Sequence, residues 1–193
     1  MSQASLFDFE PPPKNTDRLF FAVMPDQQAI DSIRALTAAL KAQHGMTGRP
    51  IDDAKLHATL CVLGDFPGMP DALIKSASKA AALVADSTLP FKVSFDTAQS
   101  FITGPRHRPL VLTGGEGIAG LTGFYKNLSG ALLKSSALRN AASYTPHVTM
   151  LYDDVAAAPQ SVTPVEWTVR EFVLLHSHIG QGRPYNILAR WTF

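Results

Sequence analysis

Two short runs with the same pattern constrain the fold of this chain more than any other feature. Residues 57–60 read HATL and residues 147–150 read HVTM, so both follow the pattern His-x-Thr-apolar. Each run lies in a segment whose composition predicts a strand. A unit that recurs half a chain apart indicates two related halves, each contributing one strand to a common structure.

The order of the predicted elements defines the fold class. Apolar runs predict strands near residues 19–24, 56–63, 91–95, 109–113, 146–152, 165–175 and 185–191. Helical spacing predicts one helix that Asp26 caps and that Gly45 and Gly48 end, and two more over residues 71–85 and 118–138. Several strands follow one another directly, which favours α+β with antiparallel pairing over a doubly wound parallel sheet.

Composition removes several classes of protein. The 193 residues carry a formal charge of +1 and a single cysteine, which excludes a disulfide framework and a multi-cysteine zinc site. The small net charge argues against a dedicated nucleic-acid packaging protein. No apolar run is long enough to cross a bilayer, and residues 1–13 lack the features of a secretory signal. We therefore expect a cytoplasmic protein that does not enter membranes.

Strand geometry indicates what the two runs could do together. Residues i and i+2 of a strand share one face, so His57 lies beside Thr59 and His147 beside Thr149, while residues 58, 60, 148 and 150 face the packed side. Because imidazole titrates near neutrality, one histidine can take a proton while the other gives one. Threonine hydroxyls can hold the oxygens of a phosphoryl group. The alternative is that both histidines are partly buried strand residues bonded to their neighbours.

These motifs resemble those of the 2H phosphoesterase superfamily, in its branch of 2′-5′ RNA ligases and RNA 2′,3′-cyclic phosphodiesterases. The likeness covers about residues 17–193 and includes RLFFAV at 18–23, LHATL at 56–60, PHVTML at 146–151 and the closing segment 185–191. The resemblance implies a bilobal fold of two mostly antiparallel sheets flanked by helices, with the active site in a central cleft. A flexible tail over residues 1–16 would precede this single domain.

The resemblance also implies a reaction and a role for each residue. A terminal 2′,3′-cyclic phosphate would be hydrolysed to a 2′-phosphomonoester without metal or other cofactor, and ligation would be the same chemistry with a ribose 5′-hydroxyl as nucleophile instead of water. His57 would be the proton donor, His147 the proton acceptor, and Thr59 and Thr149 would hold the phosphate oxygens. The partners would be RNA ends or small cyclic-phosphate nucleotides, bound by a monomer.

The sequence departs from the family pattern at two places. Ala58 and Val62 stand where the family often has a bulkier and an aromatic residue, and Tyr152 stands where it often has a basic one. The first difference predicts a repacked floor. The second removes a possible phosphate contact, which leaves the substrate less defined than the reaction.

A few further residues are candidates outside the motifs. Arg106, Arg108, Tyr152 and Arg183 are possible RNA contacts. His176 and His178 have a spacing that could suit a metal, but we expect no cysteine or acidic partner close to them and therefore no metal site. Cys61 would share a face with His57 in a regular strand, and we expect it to be a packing residue.

Two other functions remain open at this point. The same site could act on a small cyclic nucleotide or a 2′-5′-linked oligonucleotide. The chain could also be an RNA-binding module with weak catalysis.

Overall fold

Strands and helices alternate along the chain in the order that the sequence predicts, with one additional strand. The structure is a computed structural model, and we describe its residues 14–141 and 143–193. The elements are β1 (Asp17–Val23), α1 (Gln27–His44), β2 (Ala58–Phe66), α2 (Asp71–Ala85), β3 (Phe91–Ser100), β4 (Arg108–Thr113), α3 (Ala119–Lys134), β5 (Val148–Asp153), β6 (Gln160–Val169), β7 (Glu171–His178) and β8 (Asn186–Thr192). Most of the predicted tail, residues 1–13, lies outside the described residues.

The eight strands within residues 14–141 and 143–193 belong to one antiparallel sheet with the order β6-β3-β4-β5-β2-β1-β7-β8. The sheet consists of two four-stranded halves, and its seam is the pairing of β2 with β5. At this seam a single residue pair, Ala58 with Val148, is in register. The predicted α+β class is therefore confirmed, and the two expected sheets are halves joined by one short contact.

The extra strand comes from residues 165–175, which the apolar pattern predicts as a single strand. They belong to β6 and β7, which only Arg170 separates. β6 pairs with β3 in one half, whereas β7 pairs with β1 in the other. No Gly or Pro interrupts this segment, so nothing local marks the point where the strand crosses between halves.

Capping side chains and residues with positive φ set the ends of the helices. Asp26 Oδ1 accepts a hydrogen bond of 2.9 Å from the backbone of Ala29, which caps α1. Gly45 ends α1 in the left-handed conformation at φ 64°. The helix α3 ends at Lys134, four residues before its predicted end, because the chain turns there and Ser136 takes φ 60°. Ala137 is still buried after this turn, which explains why the apolar pattern continues past the helix.

The two faces of the sheet carry different clusters of side chains. In β1, Phe21 and Val23 belong to the large core cluster, to which all three helices contribute. Their neighbours Phe20 and Ala22 belong to a small cluster with Val173 and Leu175 of β7. This smaller cluster lies beside the histidine motifs and positions the candidate site. In the described part of the chain, no helix is long and apolar enough to cross a membrane.

Candidate active site

The two His-x-Thr motifs meet at the seam between the halves. His57, Thr59, His147 and Thr149 all line one cleft of about 280 Å³. The alternating residues Ala58, Leu60, Val148 and Met150 are buried in the core, as the alternation predicts.

The register at the seam sets how the motifs face each other. Ala58 is paired with Val148 in antiparallel orientation. Extending this register by one residue in each direction places His57 beside Thr149 and Thr59 beside His147. Each imidazole therefore has a hydroxyl on its own strand and another across the seam.

Both motif strands contain a bulge directly after the threonine. In β2, Thr59 pairs with Ala22 and Val62 with Phe20, so three steps along β2 match two along β1. In β5, two steps between Thr149 and Leu151 match one step along β4. A bulge turns the residues that follow it to a different face than regular alternation gives. Val62 and Tyr152 consequently line the cleft.

Because of the bulge in β2, Cys61 does not lie on the face that regular alternation predicts. In a regular strand Cys61 would share the face of His57, but here it is 3% exposed and packs in the large core cluster. Burial raises the pKa of its thiol to about 12. A buried thiol of this kind is not a nucleophile at neutral pH, which agrees with the expected packing role.

The two imidazoles are held in the same way. Nδ1 of His57 lies 2.7 Å from the carbonyl oxygen of Lys55, and Nδ1 of His147 lies 2.8 Å from that of Thr145. A carbonyl oxygen only accepts, so Nδ1 carries the proton in both rings. In the neutral rings Nε2 is therefore the atom that can take a proton, and in the charged rings it is the atom that can give one.

His57 sits in the more enclosed of the two positions. Phe20 and Tyr185 lie against its ring, with centroids 5.2 and 5.5 Å away, and Thr59 Oγ1 lies 3.1 Å from its Nε2. Burial lowers the pKa of His57, and the charge of nearby His147 lowers it further, while the bond to Lys55 acts in the opposite direction. The free protein thus favours neutral His57.

His147 is half-buried, and its ring contacts Phe101 edge-on at 5.1 Å between centroids. Phe101 follows β3 directly and belongs to the half that holds β5. Each histidine is consequently supported by aromatic side chains from its own half.

Two cations line the cleft, and sequence reasoning assigned neither of them to the site. Arg18 and Lys55 are among the lining residues, and none of the described residues that line the cleft carries a carboxylate. Arg18 donates two hydrogen bonds, of 2.7 and 2.8 Å, to Asp65, and these bonds lower the pKa of Asp65. Lys55 donates to the carbonyl oxygen of Gly182 at 2.8 Å. Lys55 lies two residues before His57, and Arg18 is part of the matched segment RLFFAV. Their positions relative to the motifs could therefore have indicated that both cations belong to the site.

The four possible RNA contacts have different placements. Tyr152 lines the cleft, whereas Arg106, Arg108 and Arg183 are not among its lining residues. The guanidinium of Arg108 donates to the carbonyl oxygens of Asp154 and Gly104 and therefore supports the surrounding loops. Arg106 and Arg183 are exposed.

A carboxylate does lie beside His176 and His178, contrary to the sequence expectation. Asp17 Oδ1 is 2.6 Å from His176 Nε2 and 3.7 Å from His178 Nδ1, and these three residues could in principle hold a metal ion. Asp17 is far away in the sequence but is the register partner of His178 in β7. Hydrogen bonds from Thr16 and His176 lower the pKa of Asp17 and already satisfy the carboxylate.

A larger cavity, of about 710 Å³, lies between α1 and residues 49–53. Two of its cations are paired with carboxylates, Arg34 with Asp53 and Arg49 with Asp52. Met150 of the second motif lines it, but neither His57 nor His147 does, so the cleft at the seam is the candidate active site.

A fold of two four-stranded halves with one His-x-Thr motif from each at the seam defines the two-histidine (2H) phosphoesterases. The sequence profile described as the 2′-5′ RNA ligase superfamily matches residues 24–181. The chain belongs to this superfamily. No curated protein sequence matches it significantly.

Solved structures show the same fold over nearly the whole chain. Escherichia coli LigT in its apo form is 25% identical, with a TM-score of 0.67, over 93% of this chain and 98% of that one. A protein described as a phosphoesterase is 26% identical, with a TM-score of 0.68, over 92% and 98%. TT0787 of Thermus thermophilus, at 22% identity and a TM-score of 0.69 over 91% and 97%, shows the fold alone.

Proposed function

We propose that the protein hydrolyses the 2′,3′-cyclic phosphate at an RNA end to a 2′-phosphomonoester. The observation that carries the proposal is the arrangement of two imidazoles around one cleft with two threonine hydroxyls, each imidazole held at Nδ1 by a backbone carbonyl group just before its own strand. This set supplies a base, an acid and donors for the phosphate oxygens, which is what the reaction requires.

The family resemblance assigns the roles of the two histidines, and the tautomers identify Nε2 as the reacting atom of each ring. Nε2 of His147 takes a proton from water as the water oxygen bonds to phosphorus. The bond from phosphorus to O3′ breaks, and Nε2 of His57 gives its proton to O3′. The ribose keeps the phosphate on O2′. Thr59 and Thr149 donate to the non-bridging oxygens, on which charge develops in the transition state. The residues carry out this scheme without a metal ion.

The negative charge of the substrate explains how His57 can act as the acid. His57 must be protonated to act as the acid, although its pKa is lowered in the free protein. A cyclic phosphate is an anion, and an anion beside an imidazole favours the charged ring. Substrate binding therefore charges the acid, and Arg18 and Lys55 attract the anion to the cleft.

Ligands of a relative support a nucleotide substrate. LigT of Escherichia coli has been crystallised with 3′-AMP, with ATP, with NADP+ and with phosphate. Ligation follows the same scheme with another nucleophile: a 5′-hydroxyl takes the place of water, its oxygen bonds to phosphorus as O3′ leaves, and a 2′-5′ bond results. A cleft of about 280 Å³ also suits a small cyclic nucleotide, which is the second candidate substrate.

The test is hydrolysis of an RNA oligonucleotide that ends in a 2′,3′-cyclic phosphate, with a chelator present. We expect a 2′-phosphate product, identified by mass spectrometry and ³¹P NMR. We expect His57→Ala and His147→Ala each to lower kcat by at least about 100-fold. Turnover that survives both changes, or no turnover by the wild type, would contradict the proposal. RNA binding without turnover that neither change affects would favour a binding module instead.

Comparison of substrates separates the candidates. Equal kcat/KM on a mononucleotide 2′,3′-cyclic phosphate and on the oligonucleotide would favour the small substrate. A higher value on the oligonucleotide would favour RNA ends. Incubation with a 5′-hydroxyl oligonucleotide and detection of a 2′-5′ junction measures ligation.

A further inference from the structure

We propose that Tyr152, backed by His107, is a platform on which the nucleobase of the substrate stacks, so the site selects nucleobase-bearing phosphates over base-free ones. The reaction at the phosphate rests on the proposed function. The platform itself is a binding site that can be tested without turnover.

The two rings form a nearly parallel stack at the rim of the cleft. Their centroids are 4.6 Å apart and their planes differ by 7°. Tyr152 lines the cleft, and His107 does not. His107 consequently covers Tyr152 away from the cleft, which leaves the cleft side of the tyrosine for a ligand. His107 is thus a positioning residue, and Tyr152 is the contact.

The backbone of His107 is held in a conformation that costs free energy. Its φ is 56°, in the left-handed region that residues other than glycine seldom adopt. Its amide donates to Asp154 Oδ1 at 2.7 Å, and Arg108 Nη1 donates to the carbonyl oxygen of Asp154 at 2.7 Å. Conformations of this kind persist where the surroundings fix them, often at functional sites. Here the result is a ring fixed behind Tyr152.

Tyr152 is the exposed ring among the aromatic residues that line the cleft. The other two are Phe20, which is 4% exposed, and Tyr185. Tyr185 contacts both Phe20 and His57 edge-on, so these rings enclose the histidine. Tyr152 is 38% exposed and offers a surface to the ligand.

The distance along β5 suits one nucleotide. The bulge makes Tyr152 the next residue after Thr149 on the cleft face, and successive residues on one face of a strand lie about 6.6 Å apart. A phosphate held at Thr149 therefore places the attached nucleoside next to Tyr152. Unpaired bases stack on exposed aromatic side chains, and the larger surface of a purine predicts a preference for purines.

The experiment measures the affinity of two probes by isothermal titration calorimetry. One is adenosine 2′-monophosphate, and the other is methyl riboside 2-phosphate, which has no base. The variants are Tyr152→Leu, which removes the ring, Tyr152→Phe, which keeps it, and His107→Asn. Asparagine tolerates positive φ, so this last variant removes the imidazole and keeps the backbone. Thermal unfolding verifies that each variant folds.

We expect Tyr152→Leu to weaken binding of the adenosine probe about tenfold and to leave binding of the base-free probe unchanged. Tyr152→Phe should retain full affinity for both. His107→Asn should weaken binding of the adenosine probe less than Tyr152→Leu does, because it removes only the ring that supports Tyr152 from behind. The same pattern is expected in KM for the corresponding cyclic phosphates.

Three outcomes would overturn the platform. The first is that Tyr152→Leu lowers the affinity for both probes equally. The second is that it lowers the affinity for neither. The third is that the wild type binds the two probes with equal affinity. Full affinity of His107→Asn for adenosine would overturn the positioning role of His107. A protein that shows the expected binding but hydrolyses no cyclic phosphate would refute the proposed function and leave the platform standing.

Discussion

The carbonyl oxygen of Lys55 lies 2.7 Å from Nδ1 of His57, two residues further along the chain. The other half of the protein repeats this relationship between Thr145 and His147 at 2.8 Å. In each half the residue two positions before the histidine orients its ring, so the hydrogen bond that orients each imidazole is local to its motif. It turns the same nitrogen of each ring away from its own backbone.

The tautomers of both histidines follow from this relationship. We expect Nδ1–H in the neutral rings of His57 and His147, because a carbonyl oxygen can only accept. Long-range ¹H–¹⁵N NMR correlation at pH 8 distinguishes protonated from unprotonated ring nitrogens. A proton on Nε2 of either neutral ring would contradict the assignment and the proposed direction of proton transfer.

The titration of His57 should differ between the free and the bound protein. Burial lowers its pKa below the ordinary value of 6.5, so its Hε1 resonance should titrate with a midpoint below pH 6.5. Saturating inorganic phosphate should raise the midpoint, because an anion favours the charged ring. The unfolded chain binds this proton more tightly, so His57 should destabilise the fold as pH falls below 6.5. A midpoint above 6.5 without phosphate would contradict this prediction.

The two threonines should contribute to the transition state. Thr59→Val and Thr149→Val keep the shape of the side chain and remove the hydroxyl, and we expect each to lower kcat about 100-fold. Thr→Ser at each position should restore most of the activity and serves as the matched control. Steady-state kinetics on a cyclic nucleotide measures the effect. A rise in KM alone would indicate ground-state binding instead.

The pair formed by Arg18 and Asp65 should matter for binding more than for stability. The side chains are 51% and 31% exposed, and ion pairs of this kind contribute at most about 1 kcal/mol to folding. Arg18→Gln should nevertheless weaken inhibition by inorganic phosphate roughly tenfold, because a charged donor leaves the cleft. Arg34→Gln is the control, since Arg34 is paired with Asp53 outside this cleft. Equal inhibition constants for the two variants would contradict the role of Arg18.

Cys61 should be unreactive in the folded protein. Its thiol is buried in the core, and burial raises its pKa to about 12. We expect no reaction with a thiol reagent at pH 8 and one modified thiol after denaturation, read by absorbance. Fast modification of the native protein, or loss of activity on modification, would show that the thiol is accessible.

Regular strand alternation predicts which face the motif residues occupy, but this prediction fails for the residues that follow the bulges. His57 and Thr59 share a face because only two positions separate them, and the same holds for His147 and Thr149. The prediction fails for Cys61 because the extra residue after Thr59 shifts the alternation. Nothing in the local sequence announces this bulge, which depends on how β2 pairs with β1.

Contacts between distant segments were beyond sequence reasoning. Asp17 reaches His176 because β1 and β7 are neighbours in the sheet. His107 reaches Tyr152 through the pairing of β4 with β5. Neither the charges nor the aromatic residues are periodic in a way that predicts such pairs. The monomeric state, the cytoplasmic location and the independence of metal stay predictions.

The sequence by itself determined most of the elements, the α+β class and the two motifs, because strand and helix periodicity and the repeat are local properties of the chain. Only the tertiary structure decided that β2 and β5 meet at one residue pair, Ala58 with Val148. That contact places two distant histidines around one cleft. It depends on which strands pair and in which register, and both are set by packing across the whole sheet.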